Sequence, residues 1–146
     1  MQLTDVFLAL GQEAFDEMLR GISMGKLRTY QLFDRLKART HLTKLNSETL
    51  QKASSRLWQR LASGDDELAR DLSQAILVCH LDMIVAVLDF LQVPHQDGFF
   101  AKDLDAQAYF QEGWSQRVQE RFAGVYPASL LRFYTGHLAW ELHVAP

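Results

Sequence analysis

The feature that most constrains this chain is a nearly unbroken apolar run over residues 76–91. The residues that interrupt this run are His80, Asp82 and Asp89. A helix that is apolar on almost every side is typical of the middle of a bundle, where neighbouring helices cover all of its faces. The run therefore predicts a central helix over residues 66–92, around which the other helices pack.

The composition is that of a folded chain with one sizeable core. The chain has 146 residues, of which 48% are hydrophobic and 23% charged, an ordinary balance for a globular protein. Eight glycines and three prolines leave few breaks in regular structure. We therefore expect a single all-helical domain over residues 1–146.

The cysteine count, the N-terminal segment and the length of the apolar run indicate the cellular compartment. Cys79 is the only cysteine, so no intramolecular disulfide can form, and a reducing compartment such as the cytoplasm is expected. The N-terminal segment has no basic region and contains Asp5 and Glu13, which is unlike a signal peptide. The run over residues 76–91 looks too short and too polar to cross a membrane, so no membrane partner is expected.

Hydrophobic spacing predicts an all-α fold, a compact helical bundle of about six helices. The predicted helices cover residues 4–21, 25–39, 47–62, 66–92, 104–123 and 127–142. Residues that favour helix ends support these bounds. The predicted N-caps are Asn46 or Ser47, Asp65 or Asp66, and Asp103. The residues predicted to end helices are Gly64, Pro94 and Gly124. No segment alternates strictly between apolar and polar residues, so no strand is expected.

The net charge of −3 conceals an uneven distribution along the chain. Residues 25–62 carry nine basic and two acidic residues, a net charge of +7, whereas residues 63–146 carry five basic and twelve acidic residues, a net charge of −7. The basic segment falls on the second and third predicted helices. Its helical spacing predicts a basic surface that consists of Arg28, Arg35, Arg39, Lys52, Arg56 and Arg60.

This basic surface has two interpretations. Two basic helices joined by a polar turn loosely resemble a nucleic-acid-binding helix pair, in which phosphate attraction supplies affinity. However, the turn is longer than usual for such a pair and contains no glycine, and the whole chain is acidic. We therefore favour a solvated surface, or one that pairs with acidic helices within the fold or across a dimer. Glu48 and Lys52 already have the spacing of a helical ion pair.

Acidic residues recur on the central helix, where Asp71, Asp82 and Asp89 share one face. The simpler interpretation is that these carboxylates pair with arginines of neighbouring helices, because buried carboxylates need such partners. The candidate arginines are Arg56, Arg117, Arg121 and Arg132. The alternative is a ligand, metal or acid–base site near the end of the central helix. Its candidate residues are Asp82, Asp89, His95, Asp97, His137 and Glu141.

No sequence motif of a known catalytic or cofactor site is present. The chain has no glycine-rich phosphate loop, no HExxH and no Gly-x-Ser-x-Gly, and the Glu-x-x-His spacing of carboxylate-bridged metal bundles is missing. Cys79 is interpreted as a small buried hydrophobe, and no cofactor is predicted. We expect a small cytoplasmic protein that is non-enzymatic and binds a protein partner or itself. One alternative is a small metal- or ligand-binding enzyme with its His/Asp site near the end of the central helix. The other is a nucleic-acid-binding protein that uses the basic helices over residues 26–60.

Overall fold

The computed structural model describes residues 1–146 and confirms the predicted all-α fold, since every regular element is helical. The chain divides into two compact units, unit 1 (Met1–Cys79) and unit 2 (His80–Pro146). Each unit is described by itself, and the single domain over residues 1–146 stays a prediction.

Unit 1 contains seven short helices. They are α1 (Leu3–Leu10), α2 (Gln12–Arg20), α3 (Met24–Thr29), α4 (Phe33–Thr40), α5 (Ser47–Lys52), α6 (Ser54–Ala62) and α7 (Asp66–Leu77). Each of the first three predicted helices is therefore divided in two. The breaks lie at Gly11 with a φ of 91°, near Gln31 with a φ of 59°, and at Ala53. The positive φ of Gly11 and Gln31 ends the local hydrogen-bond ladder and turns the chain, whereas Ala53 keeps a φ of −85°.

Two helices of unit 1 begin at the N-cap residues that the sequence predicts, Asn46 and Asp65. Asn46 is the N-cap of α5, and its side chain accepts a hydrogen bond from the Thr49 N–H at 2.9 Å. Gly64, with a φ of 87°, follows the end of α6, and the Asp65 side chain caps α7 through the Leu68 N–H. Each side chain supplies an acceptor for an N–H that has no partner within the helix.

The core of unit 1 contains an aromatic cluster and many leucines. Phe15 on α2 packs edge-on against Phe7 on α1, with 5.8 Å between ring centroids, and in a tilted arrangement against Trp58 on α6 at 5.3 Å. The fully buried leucines of unit 1 complete the core. They include Leu27, Leu57, Leu61, Leu68 and Leu72.

The predicted central helix is not continuous. A 3₁₀ turn over Val78–His80 separates α7 from α8 (Leu81–Phe90), and the boundary between the two units lies within that turn. The prediction that neighbouring helices bury nearly every side of the apolar run is also wrong for α8. Met83, Ile84, Val87 and Leu88 are its buried residues, whereas Asp82, Asp89 and Phe90 are exposed. The helix therefore has one buried face and one solvent face.

The stretch Asp66–Phe90 is the one segment that is long and apolar enough to cross a membrane on length and composition. This segment of 25 residues is longer than the apolar run over residues 76–91, which the sequence predicts to be too short to cross a membrane. More than half of its most apolar window, 56%, is buried within the protein. The core helix of a soluble protein passes the same test, so this finding is weak support for a membrane span.

Unit 2 continues with α9 (Ala106–Tyr109), α10 (Trp114–Arg121) and α11 (Ala128–Leu142). The predicted fifth helix is divided at Gly113, whose φ is 82°, and its first N-cap is Asp105 rather than Asp103. The predicted sixth helix corresponds to α11. The four-residue spacing of apolar residues along this segment predicts one core face, and four of its five residues are buried despite the break. The buried residues are Phe110, Trp114, Val118 and Phe122, whereas Ala106 is only partly buried.

Candidate functional site

The predicted basic surface lies in unit 1, and half of its residues are occupied in ion pairs with carboxylates. Lys52 pairs with Glu48 at 2.9 Å, and Arg60 pairs with Asp65 at 2.8 Å. Arg39 binds two carboxylates, as described below. These three cations satisfy acceptors within the chain, which is the structural role that we favoured for them over phosphate binding.

Arg39 joins α4 to α7. Its Nε donates to Asp71 Oδ2 and its Nη1 donates to Glu67 Oε2, each at 2.7 Å. The hydrogen bond to Asp71 is the largest cause of a raised pKa at Arg39. The side chain of Asp71 is only 11% exposed, so this carboxylate depends on the arginine for its hydrogen bonds. An arginine partner for Asp71 was predicted, but Arg39 was not among the four arginines that we named.

The other three residues of the basic surface are arranged differently from one another. Arg56 Nη2 donates to the carbonyl oxygen of Thr40 at 3.0 Å, so it caps the last turn of α4. The guanidinium of Arg28 lies 4.1 Å from the centroid of the Phe33 ring, a cation–π contact. Arg35 is exposed. The six cations therefore differ in their contacts: three form ion pairs, two contact a carbonyl group or a ring, and Arg35 is exposed.

Arg56 and Arg60 line a shallow cleft of about 400 Å³ at the C-terminal end of α6. Arg60 Nη1 is shielded from solvent and has no hydrogen-bond partner. An anion would satisfy this group, but the partial negative charge at a helix C-terminus opposes an anion at that position. Asp65, which also lines the cleft, already supplies the opposing carboxylate. The positive charge of Arg60 in the cleft is thus neutralised by Asp65, and this ion pair joins the end of α6 to the start of α7.

The ionisation of Asp65 makes the stability contribution of this ion pair depend on pH. Burial would raise its pKa, but the hydrogen bond from the Leu68 N–H and the Arg60 guanidinium outweigh burial, so the pKa lies below 3.8. A carboxyl whose pKa is depressed in the folded state stabilises that state above its unfolded pKa, and the contribution is lost as the pH falls through the folded value.

We expect Asp65→Ala to lower the free energy of unfolding by about 1 kcal/mol at pH 7, the usual effect of losing an N-cap. The difference between wild type and variant should shrink as the pH falls below 3.8. Urea denaturation at pH 7 and pH 3 measures both quantities. Asp103→Ala, at an exposed carboxylate in unit 2, is the control and should change neither. A difference that persists undiminished at pH 3 would rule out the ionised cap.

The six candidate ligand or metal residues all lie in unit 2, and the structure brings four of them together as two pairs. Asp89 is bonded to His95, and His137 lies near Glu141. Asp82 and Asp97 are exposed. No group of three or more histidine, cysteine, aspartate or glutamate side chains is arranged to hold a metal ion. The predicted arginine partners of Asp82 and Asp89 are wrong, because neither carboxylate pairs with an arginine.

The pair of Asp89 and His95 closes the turn that follows α8. His95 Nε2 lies 2.6 Å from Asp89 Oδ1, and His95 Nδ1 accepts a hydrogen bond from the Gly98 N–H at 3.0 Å. Gly98 has a φ of 92°, and a Cβ atom there would lie 3.1 Å from Ile84 Cγ2, so the turn packs closely on α8. Because both ring nitrogens are engaged, His95 has no free lone pair for a metal or for a substrate proton.

His137 is the least satisfied titratable group of unit 2. Its side chain is 13% exposed, and its Nδ1 is buried without a hydrogen-bond partner. The rings of Phe133 and Trp140 flank it, with centroid distances of 6.2 Å and 5.4 Å. Burial lowers the pKa of His137 to about 4, so the imidazole is neutral at pH 7. Burial also raises the pKa of Glu141 above 4.5 and that of Tyr134 above 10.

Cys79 does not have the environment of a nucleophile. Its Sγ accepts a hydrogen bond from the Ser23 N–H at 3.3 Å and donates to the Ala75 carbonyl oxygen at 3.3 Å. Burial raises the pKa of the thiol above its usual value of 9.0. Cys79 is therefore protonated at neutral pH. It is only partly buried, so the predicted small buried hydrophobe is not fully covered.

The sequence did not predict an aromatic patch on the surface of unit 2. The Phe122 ring contacts two other rings, with centroid distances of 5.8 Å to Phe90 and 5.7 Å to Tyr126. Arg121 lies over the Phe122 ring at 5.1 Å. Phe90 is 38% exposed and Val125 is 60% exposed. We call these five residues the aromatic patch. Two signals existed in the sequence, the four-residue spacing of Phe122 and Tyr126 and the phenylalanine at the end of the apolar run.

Comparisons with protein-family models, with curated proteins and with solved structures gave no significant match.

Proposed function

We propose that the protein is a small non-enzymatic interaction module that associates with a second copy of itself through the aromatic patch. The observation that supports this proposal is the combination of exposed apolar side chains with a cluster of aromatic rings in edge-on and tilted contact and an arginine. Buried interface centres are enriched in aromatic residues and arginine, and a few such residues carry most of the binding energy.

The geometry of the patch suits an anchor. Phe90 lies at the end of α8, and its ring rests edge-on against Phe122, which is itself only 5% exposed. Val125 occupies a tight turn in which its N–H donates to the Phe122 carbonyl oxygen at 2.9 Å. The Phe90 ring and the Val125 backbone are therefore held in place within the single chain, which lowers the conformational entropy lost when a partner covers them.

The charges beside the patch favour a second copy as the partner. Asp89, with a side chain that is 66% exposed, precedes Phe90 in the chain, and Arg121 precedes Phe122. A surface with one acidic and one basic group around an apolar centre can pair with itself about a two-fold axis. In that arrangement the carboxylate of one copy meets the guanidinium of the other.

The proposal is tested by measuring molar mass against concentration, by analytical ultracentrifugation, for wild type and for Val125→Asp. We expect wild type to show a reversible monomer–dimer equilibrium. Val125→Asp should weaken it at least about tenfold, because an unpaired carboxylate would become buried at the interface. Val125 is mostly exposed in the single chain, so the fold should tolerate the change.

Tyr30→Ser is the control, since Tyr30 is a 37% exposed residue of unit 1 that does not belong to the aromatic patch. This variant should associate as wild type does. A wild type that stays monomeric at high concentration, or a Tyr30→Ser variant as impaired as Val125→Asp, would overturn the proposal. The cytoplasmic location belongs to the same proposal and is supported by the single unpaired Cys79.

A further inference from the structure

His137 and Glu141 are four residues apart on α11, and their side chains therefore project from the same face of the helix. The distance between His137 Nδ1 and Glu141 Oε2 is 3.7 Å. This distance is too long for a hydrogen bond, which explains why the buried Nδ1 atom has no partner. Buried polar atoms are rarely left unpaired, so the unpartnered nitrogen calls for an explanation.

The separation of the two atoms matches what a metal ion would need. Zinc bonds histidine nitrogen and carboxylate oxygen at about 2.0–2.2 Å, so two donors of one ion lie at most about 4 Å apart. The observed 3.7 Å falls within that span. We propose that His137 Nδ1 and Glu141 Oε2 bind a divalent transition-metal ion on α11.

The chemistry of the two donors sets the class of ion. Imidazole nitrogen with one carboxylate suits Zn²⁺, Ni²⁺ and Cu²⁺ rather than Ca²⁺ or Mg²⁺, which take mainly oxygen ligands. No third histidine, cysteine, aspartate or glutamate joins the pair, so the remaining positions fall to water, which can enter from the side of Glu141, whose side chain is 46% exposed. The site is therefore an open and exchangeable one rather than a closed structural centre.

The surroundings favour a cation at this position. The pair lies in the last two turns of α11, which ends at Leu142, and the partial negative charge of a helix C-terminus attracts cations there. The Phe133 and Trp140 rings beside His137 hold the imidazole in place and keep competing water away from one side. Coordination requires the tautomer with its proton on Nε2, which leaves the Nδ1 lone pair free.

Trp140 provides a direct reporter, because its ring centroid lies 5.4 Å from that of His137. Titration with Ni²⁺, which quenches nearby tryptophan fluorescence, should quench wild type in a saturable manner. Titration calorimetry with Zn²⁺ should give one site per chain. Trp140→Phe should lose most of the quenching but keep the heat of Zn²⁺ binding.

The decisive variants are Glu141→Gln, which keeps the side-chain shape, and His137→Gln. Each should weaken Zn²⁺ binding by at least about tenfold, since even the loss of a group that only supports a metal ligand costs that much. His143→Gln is the control, at an exposed histidine six residues along, and should bind as wild type does. Circular dichroism verifies that each variant is folded. Absence of binding in wild type, or equal loss in His143→Gln, would overturn the proposal.

Discussion

Replacing Trp114 with alanine is expected to lower the free energy of unfolding by about 3–5 kcal/mol, the range found when a large buried aromatic side chain is removed. Trp114 is fully buried and is the largest such side chain in the protein. Its ring packs edge-on against Phe110, with 4.9 Å between centroids, and its Nε1–H donates to the Ala145 carbonyl oxygen at 2.7 Å. Alanine would therefore leave a cavity and an unpaired carbonyl group.

The contribution of the hydrogen bond can be separated from that of the packing. Trp114→Phe keeps an aromatic ring but loses the Nε1–H, so it should cost less than Trp114→Ala, by roughly the energy of the restored packing. Urea denaturation followed by circular dichroism measures both variants against wild type. If Trp114→Ala cost less than about 1 kcal/mol, as exposed positions usually do, the burial of this side chain in unit 2 would be wrong.

Local signals in the sequence were sufficient for the helical class and for several helix ends. The side-chain oxygens of Asn46 and Asp65 lie where an exposed helix N–H needs an acceptor, and both cap a helix. The four-residue spacing from Phe110 to Phe122 identified core residues correctly although Gly113 breaks the helix between them. Hydrophobic spacing thus identified the buried residues on both sides of a helix break, although it did not predict the break itself.

The breaks within predicted helices had weaker signals. Gly11 is a residue that enters positive φ without strain, so its break could have been read from the sequence. Gln31 also has a positive φ, and Ala53 and the 3₁₀ turn Val78–His80 interrupt sequences with ordinary helical propensity. At these positions tertiary packing overrides local preference, which a single sequence does not display.

The candidate sites depended on contacts between residues distant in the chain. Arg39 and Asp71 are 32 residues apart, and nothing in their spacing indicates which arginine pairs with which carboxylate. Asp89 and His95 come together because the chain turns after α8 at Gln92, which has a φ of 60°. This turn of the backbone is not part of a helical repeat. By contrast, His137 and Glu141 were predictable as neighbours, because both lie on one uninterrupted helix.

A second large effect is expected in unit 1, where Phe15→Ala should lower the free energy of unfolding by about 3–5 kcal/mol. Phe15 is fully buried and contacts the Phe7 and Trp58 rings, so three helices lose packing when its ring is removed. Phe15→Leu preserves much of the apolar volume and should cost less than the alanine variant. A cost for Phe15→Ala as small as that of an exposed substitution would contradict its place in this core.

Phe15→Ala and Trp114→Ala together test the predicted single domain, because they remove core packing from unit 1 and unit 2 respectively. Trp58 reports on unit 1 and Trp114 on unit 2, so single-tryptophan variants can follow each unit through urea denaturation. Each Phe15→Ala variant is compared with its own single-tryptophan parent, because the loss of Trp114 is itself destabilising. If residues 1–146 unfold as one cooperative domain, Phe15→Ala should shift the midpoint at both probes equally. If its effect appears at Trp58 alone while the unit 2 probe keeps its midpoint, the chain consists of two domains with independent stabilities.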